Sequence, residues 1–492
     1  MNTIYNPNEL FQFLNTSLIP IKEKKEQNGE VFTPIPFIED MMDKLTDANP
    51  TIWSNPNLKW LDPAAGIGNF AVVVYFRLMD GLKAGIPNDE ERQAHILENM
   101  LYMVEYDKTN SSTMNSIFCG KINIFTGSFI DGKKYNSIDI FSLDENMMAD
   151  ENKLFSRKVK SFGGKFDVIM GNPPYNSGGI SSKKKNNNEN KKTIWNLFIE
   201  NSFKYLRDTA GYLLFINPLT WLKSTHNCHQ LMLEKHIIWL SLWDASTSLR
   251  KFNSYSGEIP ISIFLLQNIK NTKKLKTIID VEYSQIKYEF SNYEYYLDKS
   301  LSIPLGFFSS LLKLQKFVRD NDIMLDYKTT KVSNKYLLKH YIHNSKKDDL
   351  PETYKLEDNY NVDTFKVKEG MKVNRSAIRH TDADKSKLII ANKASLVNGI
   401  IIDDGRLGIC GSNNYYILGD TNTLELYRKI FNFKLIEIAS LFTKFRQNFL
   451  DTDVFLYIPD LPKLGYETEN ELYKLIKLTK EEINDIENFR YS

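Results

Sequence analysis

Between about residues 59 and 268 the chain alternates short apolar runs, rich in β-branched and aromatic residues, with longer amphipathic stretches. That is the pattern of strands interleaved with helices. The strand-like runs are Leu58 to Leu61, Leu101 to Tyr106, Ile122 to Phe125, Phe166 to Met170, Tyr212 to Ile216, Ile237 to Trp243 and Ile259 to Leu266. Several are apolar at every position, as strands covered by helices on both faces are, and Asn69 to Met79 and Ile194 to Leu206 have the spacing of such covering helices. Seven strands in this order predict an α/β fold built on one doubly wound, mostly parallel sheet.

Beyond Asn271 the texture shifts to Lys, Tyr and Asn with short mixed elements, which places a domain boundary near 270 to 300 and a mixed α+β unit after it. Glu469 to Asn488 carries apolar residues at helical spacing and predicts one terminal helix. From Asn176 to Lys192 the chain holds Gly, Ser, Asn and Lys with a single apolar residue, the composition of a mobile loop. No internal repeat is present.

The 492 residues suffice for two or three domains, and 42% apolar residues supply a core for each. No apolar run approaches the roughly 18 residues of a membrane helix, and the first residues lack the pattern of a signal peptide. Three scattered cysteines, Cys119, Cys228 and Cys410, give no disulfide framework and no zinc spacing. A reducing, cytoplasmic setting without metal or membrane is the expectation. The net charge of +2 conceals a division into −9 over residues 1–150, +16 over 151–450 and −5 over 451–492. A basic body behind an acidic first third suggests a polyanion-binding surface, although surface lysines can also fall unevenly for no functional reason.

Three local motifs carry candidate chemistry. Asp62-Pro63-Ala64-Ala65-Gly66-Ile67-Gly68-Asn69-Phe70 follows a strand and opens a helix, so glycine backbone can approach a ligand where the helix presents its first N–H groups. A tight turn needs glycine for structural reasons too. Glu105, at the tip of the second strand, can accept both hydroxyls of a ribose or can simply be a solvated strand end. The third motif, Phe166 to Tyr175, is a buried strand running into Asn172-Pro173-Pro174-Tyr175. Two prolines fix the backbone, so the Asn172 side-chain oxygen and the Pro173 carbonyl can act as a rigid pair of acceptors with the Tyr175 ring beside them.

Together these residues closely resemble the amino-methylating DNA methyltransferases, and their order resembles the gamma class, the TaqI-type N6-adenine enzymes, in which a Thr-Pro segment precedes the glycine turn and the target reader is C-terminal. Here the Thr-Pro segment is Gly29 to Pro36. The resemblance implies a seven-stranded S-adenosylmethionine-dependent methyltransferase sheet and a target recognition domain, divided as an extension at 1–28, a catalytic domain at 29–270, a linker at 271–300 and a DNA-binding domain at 301–492. It implies that Phe32, Thr33 and Pro34 close over S-adenosylmethionine, that Asp62, Ala64 and Gly66 face its methionine end, that Glu105 holds the ribose and that Tyr106 packs on the adenine ring. Where the family has an acidic residue followed by an aromatic, this chain has Ser128 and Phe129; Phe129 keeps the ring contact, and Asp131 is a substitute for the missing acid. Phe252 falls in the slot of an aromatic stacking on the target base, with a core phenylalanine as the competing reading. Lys183, Lys184, Lys185, Lys191 and Lys192 reach phosphates if the loop after the catalytic turn meets DNA. Arg375, Arg379 and Lys393, with Arg406, Lys444 and Arg446, read as duplex contacts.

The implied reaction moves a methyl group from S-adenosylmethionine to the exocyclic amine of a flipped adenine in duplex DNA, with a separately encoded restriction endonuclease as a further partner. Methylation at cytosine N4 uses the same turn and remains open, as do an RNA or protein-glutamine methyltransferase and a silent DNA-binding module. Methylation at cytosine carbon 5 is disfavoured because no cysteine follows a proline. A fused nuclease is disfavoured because the first 22 residues hold no Asp ahead of Glu23-Lys24-Lys25.

Overall fold

The computed structural model of the chain describes residues 33–130, 164–176, 193–252, 259–272, 275–284, 287–329, 356–357, 373–374, 382, 384–391, 400–405, 414–445 and 450–490. Two compact units emerge. The first holds the described residues before Leu222 together with Thr225–Lys299, and the second holds Leu222–Ser224 and the residues from Ser300 onward.

The first unit is built on a sheet of nine strands: β1 (Trp60–Asp62), β2 (Leu101–Glu105), β3 (Asn123–Thr126), β4 (Val168–Gly171), β5 (Tyr212–Pro218), β6 (Lys235–Trp243), β7 (Ile261–Lys270), β8 (Thr277–Tyr283) and β9 (Tyr288–Tyr295). Their spatial order is β3-β2-β1-β4-β5-β7-β6-β8-β9. Strands β1 to β5 pair in parallel, and β7 runs antiparallel to both β5 and β6. The expected α/β sheet is therefore present, and its order reverses between β1 and β4. At such a switch point the carboxyl ends of the two central strands open a crevice.

Helices α1 (Ile35–Ala48), α2 (Asn69–Gly81), α3 (Asp89–His95), α4 (Lys108–Ile117), α5 (Trp195–Tyr205), α6 (Asn227–Leu233) and α7 (Ala245–Phe252) accompany this sheet. Ala71, Val72, Val73 and Val74 of α2 are all buried, so the first half of this helix is enclosed on every side. Against it α1 sets Ile38, Met41, Met42 and Leu45, which is why the segment after Thr33-Pro34 is anchored over the first strands.

The sheet exceeds the expected seven strands, and 271–300 is no linker in its central part. Strand β8 pairs in parallel with β6, and β9 pairs antiparallel with β8. Thr277, Ile279, Val281 and Tyr283 are buried while Ile278 is exposed, a strict period of two hidden within a Lys- and Tyr-rich stretch.

In the second unit α8 (Phe308–Asp320) precedes a four-stranded sheet of β10 (Lys328–Thr329), β13 (Lys387–Ala391), β14 (Ile400–Asp403) and β15 (Asn414–Leu418), and β11 (Leu356–Glu357) pairs with β12 (Val373–Asn374). A buried Lys387–Asp403 ion pair joins β13 to β14. Residues 222–224 belong here because the Ser224 N–H donates to Ser302 Oγ at 2.8 Å, Ser302 Oγ donates to Asp453 Oδ2 at 2.8 Å, and Lys223 pairs with Asp451. Helices α9 (Thr421–Phe431) and α10 (Lys434–Phe442) follow. The expected single terminal helix is two, α11 (Glu469–Leu475) and α12 (Lys480–Asn488). Each opens with a reciprocal cap, Thr468 with Glu471 and Thr479 with Glu482. The second cap restarts the helix after Lys477, whose φ is 54°.

Candidate active site

The turn between β1 and α2 reverses the chain through two left-handed residues, Gly66 (φ 57°) and Gly68 (φ 97°). Its shape is held from β2: the Gly66 N–H donates to Glu105 Oε2 at 2.7 Å, and the Ala65 N–H donates to the Val104 carbonyl at 3.0 Å. The Asp107 N–H meets Glu105 Oε1 at 2.8 Å. Glu105, 8% exposed, thus braces the turn with both oxygens.

Asp62 ends β1 and is 1% exposed. Its Oδ1 accepts the Ala64 N–H at 3.0 Å, whereas Oδ2 is buried without a hydrogen-bond partner among the described residues. Burial pushes the Asp62 carboxyl up to about 8; the Ala64 N–H opposes this and the negative charge of Glu105 adds to it. An orphan oxygen on a buried carboxylate is costly unless a ligand donor completes it. Asp62 also explains Gly171, the last residue of β4: a Cβ there would lie 2.8 Å from Asp62 Oδ1. Glycine is what allows β4 to pass so close.

Directly after Gly171 comes Asn172-Pro173-Pro174-Tyr175. The Asn172 Nδ2 donates to Thr33 Oγ1 at 3.3 Å, and the Thr33 carbonyl accepts Asn69 Nδ2 at 2.9 Å. Thr33 is 3% exposed. The neighbouring Pro34 carbonyl accepts the N–H groups of Phe37 and Ile38 at 3.1 Å each and so starts α1. Pro173 is buried, and the half-buried Tyr175 ring packs against the core, which raises its hydroxyl above the ordinary phenol range. The Ile194 N–H donates to the Tyr175 carbonyl at 3.0 Å, and Asn176 bridges to Thr193. The chain therefore leaves and re-enters this turn at one clasp.

Of the expected site residues, the structure gathers Thr33, Asp62, Ala64, Gly66, Glu105 and Asn172 in one web of contacts at the ends of β1, β2 and β4. Tyr106 lies just past β2 and is 45% exposed. Phe129 is different. Its ring stacks on Phe198 and packs on Tyr205, and at 3% exposure the expected ring face is taken by protein. Ser128 Oγ closes a local turn with Ile130 at 3.1 Å. Phe252 packs on Phe37 and Trp243, in line with a core role. Phe32, Asp131, Lys183, Lys184, Lys185, Lys191, Lys192, Arg375, Arg379, Lys393, Arg406 and Arg446 lie outside the described residues. Lys444 is half-buried, and desolvation lowers its pKa. Asn69 and Gly171 lie inside the first and third motifs, but the sequence assigns neither a role, because their partners Thr33 and Asp62 are distant in the chain. Among the described residues no group of three or more His, Cys, Asp or Glu side chains is arranged to hold a metal ion, and no helix is long and apolar enough to cross a membrane.

An uncharacterized adenine-specific methylase from Mycoplasma pneumoniae is 27% identical in a match spanning 41% of this chain and 57% of that protein. A modification subunit of a type I restriction enzyme from Vibrio vulnificus covers 60% of this chain and 55% of its own, at 16% identity and a TM-score of 0.37. A class I S-adenosylmethionine-dependent methyltransferase from Listeria monocytogenes covers 56% of this chain and 75% of its own, at 15% identity and a TM-score of 0.33. The chain spans little more than half the length of the first two. Residues 91–248 match the profile of the Eco57I restriction-modification methylase family, a stretch that takes in Glu105 and the whole Asn172 to Tyr175 turn but neither Asp62 nor any residue from Ser300 onward.

Proposed function

We propose that this chain is a DNA methyltransferase that uses S-adenosylmethionine to methylate the exocyclic N6 of an adenine flipped out of duplex DNA, and that it is of the gamma, TaqI-like type. The observation that carries the reading is the Asn172-Pro173-Pro174-Tyr175 turn at the end of β4, hydrogen-bonded through Thr33 to the glycine turn at the end of β1. The family profile over residues 91–248 and the adenine-specific name of the Mycoplasma relative support it.

The residues present suit the cofactor. Asp62 Oδ2 is a buried acceptor without a partner among the described residues, matched to the ammonium of an amino-acid moiety, and the Glu105 carboxylate at the tip of β2 is placed to accept ribose hydroxyls. Bound S-adenosylmethionine supplies a methyl group on a sulfonium, an electrophile that an amine can attack. An adenine amine is a weak nucleophile because its lone pair is delocalised into the ring. Asn172 Oδ1 and the Pro173 carbonyl accept its two N–H bonds, localising the lone pair on nitrogen for attack. Tyr175 stacks on the extruded base, and such a contact returns about 1 to 3 kcal/mol toward a flipping cost of a few kcal/mol. The surplus amine proton leaves after transfer, so no covalent nucleophile on the protein is required. The second unit, with its basic residues, reads the site, and a separately encoded nuclease is a natural partner.

The test is methyl transfer from labelled cofactor to mixed-sequence duplex DNA, followed by digestion to nucleosides. N6-methyladenine is the expected product. N4-methylcytosine would reassign the substrate base, and label in RNA or protein but never in DNA would overturn the reading.

A further inference from the structure

We infer that Thr33 is a positioning residue for Asn172, one that fixes which end of the Asn172 amide meets the substrate amine; the inference rests on the proposed methyl transfer. An asparagine amide has an oxygen that accepts and a nitrogen that donates, in nearly the same shape, so a half-turn exchanges the two at little steric cost. The proposed chemistry tolerates one arrangement. With Oδ1 toward the substrate its N–H is accepted, whereas Nδ2 there would set donor against donor.

What faces the other end of the amide therefore matters, and Thr33 Oγ1 receives Nδ2 at 3.3 Å. A hydroxyl selects the donor end only when its oxygen accepts. Thr33 is suited to that: it is 3% exposed, its carbonyl is held by Asn69 Nδ2 at 2.9 Å, and Pro34 fixes the backbone that follows. With its oxygen accepting, Thr33 admits Nδ2 and leaves the carbonyl end of the amide for the substrate. Asn69, the first residue of α2 after the glycine turn, is the brace that keeps this side chain in place.

Thr33→Val preserves the shape and removes the hydroxyl, whereas Thr33→Ser keeps it. For Thr33→Val the expected result is a fall in kcat of about 10- to 100-fold at saturating DNA and cofactor, the scale on which misplacing a reacting group costs rate. Cofactor Kd by calorimetry should rise far less, and 2-aminopurine fluorescence at the target position should report normal base extrusion. Thr33→Ser should restore kcat to within about 3-fold, a change below 1 kcal/mol. Normal kcat in Thr33→Val would overturn the inference. So would a loss that disappears once cofactor is raised, since Thr33 would then be a cofactor contact alone, or a serine variant as slow as the valine one. A wild-type protein that methylates no DNA base would instead sink the proposed function itself.

Discussion

Asp62 and Asp167 stand at opposite edges of the same two neighbouring strands, and their surroundings differ completely. Asp167, just before β4, accepts the Lys59 N–H at 2.9 Å and the Arg207 Nη2 at 3.2 Å, and also pairs with Arg207 Nε. Asp62, at the exit of β1, has one backbone donor and a buried oxygen with no partner among the described residues. Both are shielded from solvent. A saturated carboxylate fastens strand edges together, whereas an incompletely satisfied one at a switch point holds back binding capacity for a ligand. Asp167 thus stabilises the sheet whereas Asp62 serves the site, and substitution tells the two roles apart.

The largest effect is expected at the site edge. Asn172→Ala should lower methyl transfer by about 10²- to 10³-fold or more, the range for losing one preorganised polar contact to a transition state. Melting temperature and cofactor affinity should stay near wild type; a large loss of stability would place Asn172 with the fasteners instead.

Asp62→Asn should weaken cofactor binding by roughly 10- to 100-fold, as expected for a lost charged hydrogen bond worth about 1.5 to 3 kcal/mol. The pH dependence provides a second check. Burial in the folded protein pushes the Asp62 carboxyl up to about 8, far above the 3.8 of a solvated aspartate in an unfolded chain. Its contribution to stability is therefore fully present below pH 4 and is lost as pH rises through 8, because the unfolded chain ionises first. Denaturant titrations between pH 5 and 8 should show wild type losing stability relative to Asp62→Asn. A cationic ligand group favours the ionised form, so cofactor affinity should climb toward pH 8, with proton release visible by calorimetry in buffers of different ionisation enthalpy. A flat pH profile identical in both proteins would remove Asp62 from the cofactor site.

Asp167→Ala should do the converse. It strands the Lys59 N–H and part of the Arg207 guanidinium, and since Arg207 is 44% exposed the cost should be limited to about 1 to 3 kcal/mol. Chemical denaturation should register it, while cofactor affinity of the folded fraction stays unchanged. The smallest effect is expected for Glu105→Gln, which keeps one acceptor for the Gly66 N–H and loses the charge; cofactor binding should weaken by only about 3- to 10-fold, near 1 kcal/mol. A loss of folding there would mean that bracing the glycine turn is the main task of Glu105.

Much of this architecture was legible because it is written locally. The alternation of apolar runs announces β1 to β7, and the two turns are recognisable as contiguous motifs. Even the division of the terminal helix was available in Thr479 and Glu482, a cap three residues apart, though continuous helical spacing masked it. Strands β8 and β9 were hidden for a different reason. Lys276 pairs with Glu294, and tyrosines stand where aliphatic residues mark other strands, so the composition reads as a linker while burial still follows a period of two.

By itself the sequence determined the order of elements, the glycine turn, the rigid Asn-Pro-Pro-Tyr turn and the kind of chemistry those groups can perform, since each depends on residues within a few positions of one another. Tertiary structure alone decided which of them meet. Thr33 reaches Asn172 across 139 positions, and Gly66 reaches Glu105 across 39. Phe129 turns out to face Phe198, and Gly171 owes its identity to the carboxylate of a strand more than a hundred residues earlier. Such contacts follow from the parallel pairing of β1 with β2 and β4, which brings distant strand ends to one edge. No local periodicity encodes that pairing, because its hydrogen bonds join backbones that every residue type shares.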